Sequence, residues 1–109
     1  MKEITKGSIV WGWNGNGNCR VLGIYKGDSN VQISYSGIEF HYENIQVYEN
    51  KNTSINDLTK GLIVWAWDKE IEYARLCVYE KAEAGYHRAF HFSNREDIYE
   101  NVKLYKGEL

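Results

Sequence analysis

The sequence predicts an all-β protein made of two tandem copies of one five-stranded unit, and three observations carry that expectation. The first is an internal duplication. Thr5-Lys6-Gly7-Ser8-Ile9-Val10-Trp11-Gly12-Trp13-Asn14 recurs 54 positions later as Thr59-Lys60-Gly61-Leu62-Ile63-Val64-Trp65-Ala66-Trp67-Asp68, and Leu22-Gly23-Ile24-Tyr25 recurs at the same offset as Leu76-Cys77-Val78-Tyr79. Tyr42-Glu43-Asn44-Ile45 returns 57 positions later as Tyr99-Glu100-Asn101-Val102, which places a net insertion of three residues in the second copy between Tyr79 and Tyr99. The second observation is that apolar residues come in short alternating runs with no sustained helical period. The third is that Gly, Asn, Asp and Ser cluster between those runs, where turns need left-handed or self-capping residues.

Taken in order, the first copy offers strands at residues 8–13, 19–25, 31–35, 38–42 and 45–48. Asn14-Gly15-Asn16-Gly17-Asn18 supplies positive-φ residues for the first hairpin, residues 26–30 form the second, and Ser36-Gly37 makes a tight third. The second copy repeats the series at 62–67, 74–79, 87–92, 97–99 and 102–105. The units divide as 1–49 and 58–109, with 50–57 as a polar linker; a single helical turn at 54–58 or at 94–99 is the local alternative. The chain has no proline, so no ladder loses an N–H donor. A unit of about fifty residues buries too little surface to be stable alone, so the copies are expected to share a core.

Side-chain alternation sorts the first strand of each copy into two faces. Val10 and Gly12, like Val64 and Ala66, point one way and suit a cramped interior; Ile9, Trp11 and Trp13, like Ile63, Trp65 and Trp67, point the other. Aromatic residues make up 15% of the chain, with 4 Trp and 9 Tyr, so the indole-bearing face needs a cover. The tryptophans pack either between the two units or against a ligand.

The composition, 43% hydrophobic and 26% charged, suits a globular chain, and a net charge of −2 provides no basic field to gather nucleic acid. The longest apolar runs, such as 62–67, are too short to span a bilayer, and the N-terminus lacks a secretory pattern; a cytoplasmic location is expected, with no membrane contact. Cys19 aligns with Tyr73 and Cys77 with Gly23, and both cysteines are expected to be small buried residues. His87 and His91 lie four apart on one strand face near Glu96 and Asp97, but without a third strong ligand they read as polar surface residues rather than a metal site. No cysteine, serine or aspartate sits in a nucleophile, phosphate-loop or acid–base motif, so the expected protein is not an enzyme and needs no cofactor.

Gly7-x-x-Val10-x-Gly12, a turn, a second strand, Tyr35-x-Gly37 and a closing strand together resemble the Tudor, agenet and PWWP group of SH3-like barrels, and Gly61-x-x-Val64-x-Ala66 repeats the opening. The resemblance spans nearly the whole chain as two tandem SH3-like, Tudor-like small barrels. It implies a binding module, often one whose aromatic cage holds a methylated ammonium by cation–π attraction. Trp13 and Trp67 stand near the family's cage tryptophan, with Trp11 and Trp65 beside them, whereas alignment on the glycine puts Asn14 and Asp68 at that place; Tyr35 and Phe92 match the aromatic that ends the third strand. The acidic residue that follows in many Tudor modules is replaced by Ser36 and Ser93, with Glu39 and Glu96 nearby.

These residues together form the candidate ligand-binding set of a protein that captures a protein or peptide partner. A small cytosolic inhibitor or immunity-type protein that occludes a toxin or nuclease is the second reading, and single-stranded nucleic-acid binding the third. The insertion, placed near Lys81-Ala82-Glu83-Ala84-Gly85, is a candidate for partner-specific contact.

Overall fold

The computed structural model describes residues 4–49 and 61–106; the linker at 50–57 and the helical turn considered at 54–58 lie outside them. The first copy folds as β1 (Ile9–Trp13), β2 (Val21–Gly27), β3 (Asn30–Gln32), β4 (Glu39–His41) and β5 (Asn44–Val47). The second follows with β6 (Ile63–Trp67), a 3-10 turn (Ile71–Tyr73), β7 (Arg75–Glu83), β8 (Tyr86–Phe92), β9 (Arg95–Tyr99) and β10 (Asn101–Leu104). All neighbouring strands pair antiparallel. β1 lies between β2 and β5, with β3 and β4 following β2, so the order is 5-1-2-3-4; β10-β6-β7-β8-β9 repeats it.

The duplication holds to the residue in the ladders. Ile9↔Ile24, Val10↔Gly23 and Trp11↔Leu22 become Ile63↔Val78, Val64↔Cys77 and Trp65↔Leu76. Asn14 Oδ1 accepts from Glu43 N at 2.7 Å, and Asp68 Oδ1 accepts from Glu100 N at 3.1 Å, so each copy pins its last turn to the end of its first strand. Both second hairpins close through two positive-φ residues, Asp28-Ser29 and Ala84-Gly85. The short helix considered at 94–99 is instead β9, because its backbone completes the ladder to β8.

The insertion is where it was expected, but the pairing resolves it into two changes. Asn30 follows the β2–β3 turn as the partner of Gly27, and Arg88 partners Lys81, so the offset rises from 54 to 58 across that hairpin. His41 partners Asn30 while Ile98 partners Arg88, so the offset falls to 57 after the next turn. The hairpin gains four residues, as two extra cross-strand pairs, and the following turn loses one.

Neither set of five strands closes on itself. Among the described residues the ladders form one antiparallel sheet that is not a barrel, and the copies join through it. Val21 of β2 pairs with Phe92 of β8, and Ser34, just past β3, bridges Arg75 of β7. Tyr35 N donates to Ala74 O at 3.0 Å, and Ser93 N donates to Arg20 O at 2.8 Å. These contacts are reciprocal, as across an approximate two-fold axis: each copy lends the end of its third strand to the second strand of the other. β3 ends at Gln32, and residues 33–35 run on into the other copy: Leu76 N donates to Ile33 O at 3.5 Å, Ser34 bridges Arg75, and Tyr35 N donates to Ala74 O.

Among the described residues the buried side chains gather into three clusters. Val10, Val21, Val31 and Ile33 fill the first copy, and Val64, Ala66, Cys77, Tyr79 and Ala89 the second. The third lies between the copies: Leu22, Ile24, Trp65, Ala74 and Leu76, flanked by Ile9, Trp11, Tyr48, Ile63, Val78 and Tyr105. It is built largely from equivalent pairs, Leu22 with Leu76, Trp11 with Trp65 and Tyr48 with Tyr105. The face that carries Ile9 and Trp11 is therefore the inter-copy face. Cys77 is fully buried, as expected of a small core residue, whereas Cys19 is exposed in the first turn, a correction to the expectation for both.

Candidate functional site

The duplication makes two equivalent surface grooves, and the molecule treats them differently. In the second copy Trp65 lies at the floor, 3% exposed, with Lys103 and Leu104 of β10 and then Tyr105 and Lys106 along one side. Tyr35, brought across by its bond to Ala74 O, sets its ring edge-on to the Trp65 indole, with centroids 5.3 Å apart and planes at 86°. Tyr105 meets the same indole at 6.1 Å and 72°. The space left is about 20 Å³, too little for more than a water-sized group.

In the first copy the matching residues are Trp11, Gln46, Val47, Tyr48 and Glu49, and Tyr48 again meets the indole edge-on, at 6.3 Å and 73°. Tyr48 is held as its counterpart is, by a backbone bond from its N–H to Ile9 O at 2.8 Å, and its hydroxyl donates to Gly61 O at 2.9 Å. Partial burial raises the pKa of both tyrosines above the usual phenol value. The residue that occupies Tyr35's place is Ser93. No ring covers Trp11, and a groove of about 800 Å³ lies over it, extending past Gly17 and Arg20 and bounded on the far side by Val78 and Phe90 of the second copy. Such a volume is in the range of small-ligand and peptide side-chain sites.

Arg20 stands at the rim. Its guanidinium lies 4.0 Å from the centre of the Trp13 ring, donates from Nη1 to Gln46 Oε1 and reaches Gly17 O through Nε at 3.4 Å. No carboxylate pairs with it among the described residues.

The candidate residues thus fall into separate settings. Trp11 floors the open groove, while Trp65 and Tyr35 together fill the closed one. Trp13 carries Arg20 on its face, so a cation of the chain itself already uses that ring. Trp67 is half-buried beside the inter-copy core. Phe92 packs against the first copy's core, with His91 edge-on at 4.7 Å and Arg95 at 5.1 Å. Glu39 is exposed on β4 opposite Gln32, and Glu96 accepts from Arg88 Nη1 at 3.1 Å. Sequence reading paired Tyr35 with Phe92; the cross-copy bonds pair Tyr35 with Ser93 and Ser34 with Phe92. Arg20, Gln46, Val47, Phe90 and Ser93 were not anticipated, because the one-residue correction exists only in the hairpin pairing.

A second cavity, about 730 Å³, lies against the second copy and is lined by Arg75, His91, Asp97 and Tyr99 among others. Their counterparts in the first copy are Val21, Ile33, Phe40 and Tyr42, so one copy has a polar lining where the other is apolar. His91 is 3% exposed and its Nδ1 faces Leu76 O at 2.9 Å, so Nδ1 carries the proton and Nε2 is the unprotonated nitrogen, without a partner among the described protein groups. Burial is the main cause that pushes its pKa down to about 4; the bond to Leu76 O opposes it most, Asp97 opposes it further, and Arg75 and Arg95 act with burial. Burial also pushes the Cys77 thiol up to about 12, so it remains protonated at neutral pH. Among the described residues no three His, Cys, Asp or Glu side chains converge on a metal position, and no helix is long and apolar enough to cross a membrane.

Comparison of the chain with known protein families, with curated proteins and with solved structures finds no match. The functional reading therefore rests on the grooves themselves.

A histidine held neutral when folded but free to charge when unfolded destabilises the fold in acid. His91 has an ordinary value near 6.5 and a folded value near 4, so its contribution is complete above pH 6.5 and is lost as the pH falls through 4. The shift corresponds to roughly 3 kcal/mol. Urea unfolding at a series of pH values should show stability falling across that window, and His91→Ile, which installs the residue of the equivalent Ile33, should flatten the fall. Parallel profiles for the two proteins would show that His91 does not set it.

Proposed function

We propose that this chain is a non-catalytic protein-binding module built from two SH3-like, Tudor-like units, and that it captures its partner through the groove over Trp11. The strand order 5-1-2-3-4 in each copy is the order of an SH3-like unit, and it supports that family reading together with the Gly-x-x-Val openings. The observation that carries the function is the open groove of about 800 Å³, where aromatic residues of both copies, Trp11, Tyr48 and Phe90, meet at the surface beside Arg20. Trp, Tyr and Arg are the residue types that most often dominate binding energy at protein interfaces. A net charge of −2 and the carboxylates interleaved with the lysines favour a protein partner over nucleic acid.

The test is capture from native lysate by the tagged full chain at low and high salt, beside Val47→Asp, which puts a charge on an exposed wall of the groove. Protein binding predicts one partner that survives high salt and is lost with Val47→Asp. Capture of nucleic acid alone, released by salt through counterion uptake, would overturn the reading, as would a partner indifferent to Val47→Asp.

A further inference from the structure

We propose that the groove over Trp11 is a socket for a tyrosine side chain of the partner protein, which takes the position over Trp11 that Tyr35 holds over Trp65. This rests on the protein-binding reading and names what the groove recognises. The argument is the duplication: the molecule contains the same socket twice, once filled and once open.

Each of the six residues around the filled socket has its counterpart around the open one. Trp65 corresponds to Trp11, Lys103 to Gln46, Leu104 to Val47, Tyr105 to Tyr48 and Lys106 to Glu49; the sixth, Tyr35, corresponds to Ser93. The backbone bond that presents the sixth residue is kept, Tyr35 N to Ala74 O in one case and Ser93 N to Arg20 O in the other. The aromatic floor, the Tyr105/Tyr48 wall and the presenting strand are thus kept, while the ring is lost and the two lysines of the filled socket become Gln46 and Glu49. The open space is about 800 Å³ against about 20 Å³, more than one ring would fill, because it also runs on over Gly17, Arg20, Val78 and Phe90.

The filled socket shows what chemistry fits. An indole floor with a second ring beside it takes an incoming ring in the T-shaped arrangement that aromatic pairs favour, and Tyr35 takes up that geometry with centroids 5.3 Å apart and planes at 86°. The open end of the socket faces solvent, as it does at Tyr35, which is 37% exposed, so a phenol keeps its hydroxyl in water. Val78 and Phe90 add apolar surface on the far side, against which the apolar part of the same ring is buried. Rim charge then selects the neighbouring residue of the partner. Ala74 of the filled side is replaced by Arg20, which has no carboxylate among the described residues and is held over Trp13, so a carboxylate next to the partner's tyrosine meets a preset cation.

The decisive experiment follows the indole N–H resonances of Trp11 and Trp65 while N-acetyl-tyrosinamide is added to the full chain, with N-acetyl-leucinamide as the aliphatic control. The wild type should show a saturable millimolar shift at Trp11 alone, and none with the leucine probe. Ser93→Tyr, which closes the socket with the chain's own ring, should weaken that response at least tenfold while the thermal melt stays cooperative. Tyr35→Ser should do the converse and add a response at Trp65.

No response at Trp11, an equal response to the leucine probe, or an undiminished response in folded Ser93→Tyr would each overturn the proposal. A Trp11 resonance that moves on dilution of the protein alone would place a second copy of the chain there and would overturn it too. Should Ser93→Tyr fail to fold, Tyr35→Ser decides: a gained site at Trp65 supports the socket and its absence refutes it. Failure of the broader reading looks different. Partner capture that persists in Ser93→Tyr leaves protein binding standing without the socket, whereas no captured protein at all removes the binding reading even if the probe binds.

Discussion

Gly23→Val should abolish cooperative folding, and Gly23→Ala should lower the melting temperature by roughly 10–20 °C, the scale of a loss near 3 kcal/mol in a domain of this size. Gly23 sits in β2 opposite Val10, inside the first copy's core. A β-carbon there would lie 2.3 Å from Val31 Cγ1 and 2.6 Å from Gln32 O, distances at which something must move, and the second contact is backbone. The second copy shows how the same site takes a side chain. Cys77 occupies the place of Gly23, and on the neighbouring strand, two residues along the register, Ala89 replaces Val31, so volume moves from one strand to its neighbour while the total is roughly kept. Val31→Ala should therefore be partly compensated by Gly23→Ala, with the double variant more stable than the sum of the single losses by about 1 kcal/mol or more. Chemical denaturation of the four proteins measures this; simple additivity would show that the two positions do not share space.

A polypeptide that ends at residue 52 should not fold. The inter-copy cluster is assembled from both halves, and removing the second leaves Leu22 and Ile24, both at most 2% exposed in the intact protein, facing water together with Ile9 and Trp11. Each fully buried residue of this kind contributes roughly 1.5–3 kcal/mol, more than a unit of fifty residues has to spare. The β2 backbone would also lose its partner strand at Val21. In the intact chain Trp65→Ala should cost about 3–5 kcal/mol for the same reason. Circular dichroism of the fragment should show no cooperative melt, and adding residues 58–109 should restore strand signal. A sharp melt of the fragment alone would disprove the shared core.

Most of the strands were legible because alternation and turn chemistry are local. Gly15 and Gly17 both adopt positive φ, as the Asn-Gly run requires, and the inward face of β1 and β6 follows from side chains two residues apart. The site was harder to read. Trp11, Trp65 and Tyr35 are in the candidate set, but nothing in their own neighbourhoods shows that Tyr35 crosses to the other copy and covers Trp65. Simple alignment matched Tyr35 with Phe92 because both are aromatic and lie 57 apart. The true equivalence is one residue off, since the β7–β8 hairpin gained four residues and the next turn lost one. Cys19 was misplaced for a related reason: it falls in the connection before β2 starts at Val21, where exposure depends on turn geometry rather than on alternation.

By itself, then, the sequence determined the duplication, the all-β class, the ten strand segments and the two-faced character of the first strand in each copy. All of these follow from backbone geometry that repeats over two residues or from turns closed by neighbours. Only the tertiary structure decided that the copies exchange the ends of their third strands, that the sheet stays open rather than closing into barrels, and that one tryptophan is covered while its twin is left open. Those outcomes depend on which unpaired strand edge meets which, and a backbone N–H is satisfied equally well by any correctly placed carbonyl, so local pattern does not choose among them. The ring at Tyr35 and its absence at Ser93, with Arg20 in place of Ala74 and Glu49 in place of Lys106, then turn a symmetric frame into an asymmetric surface.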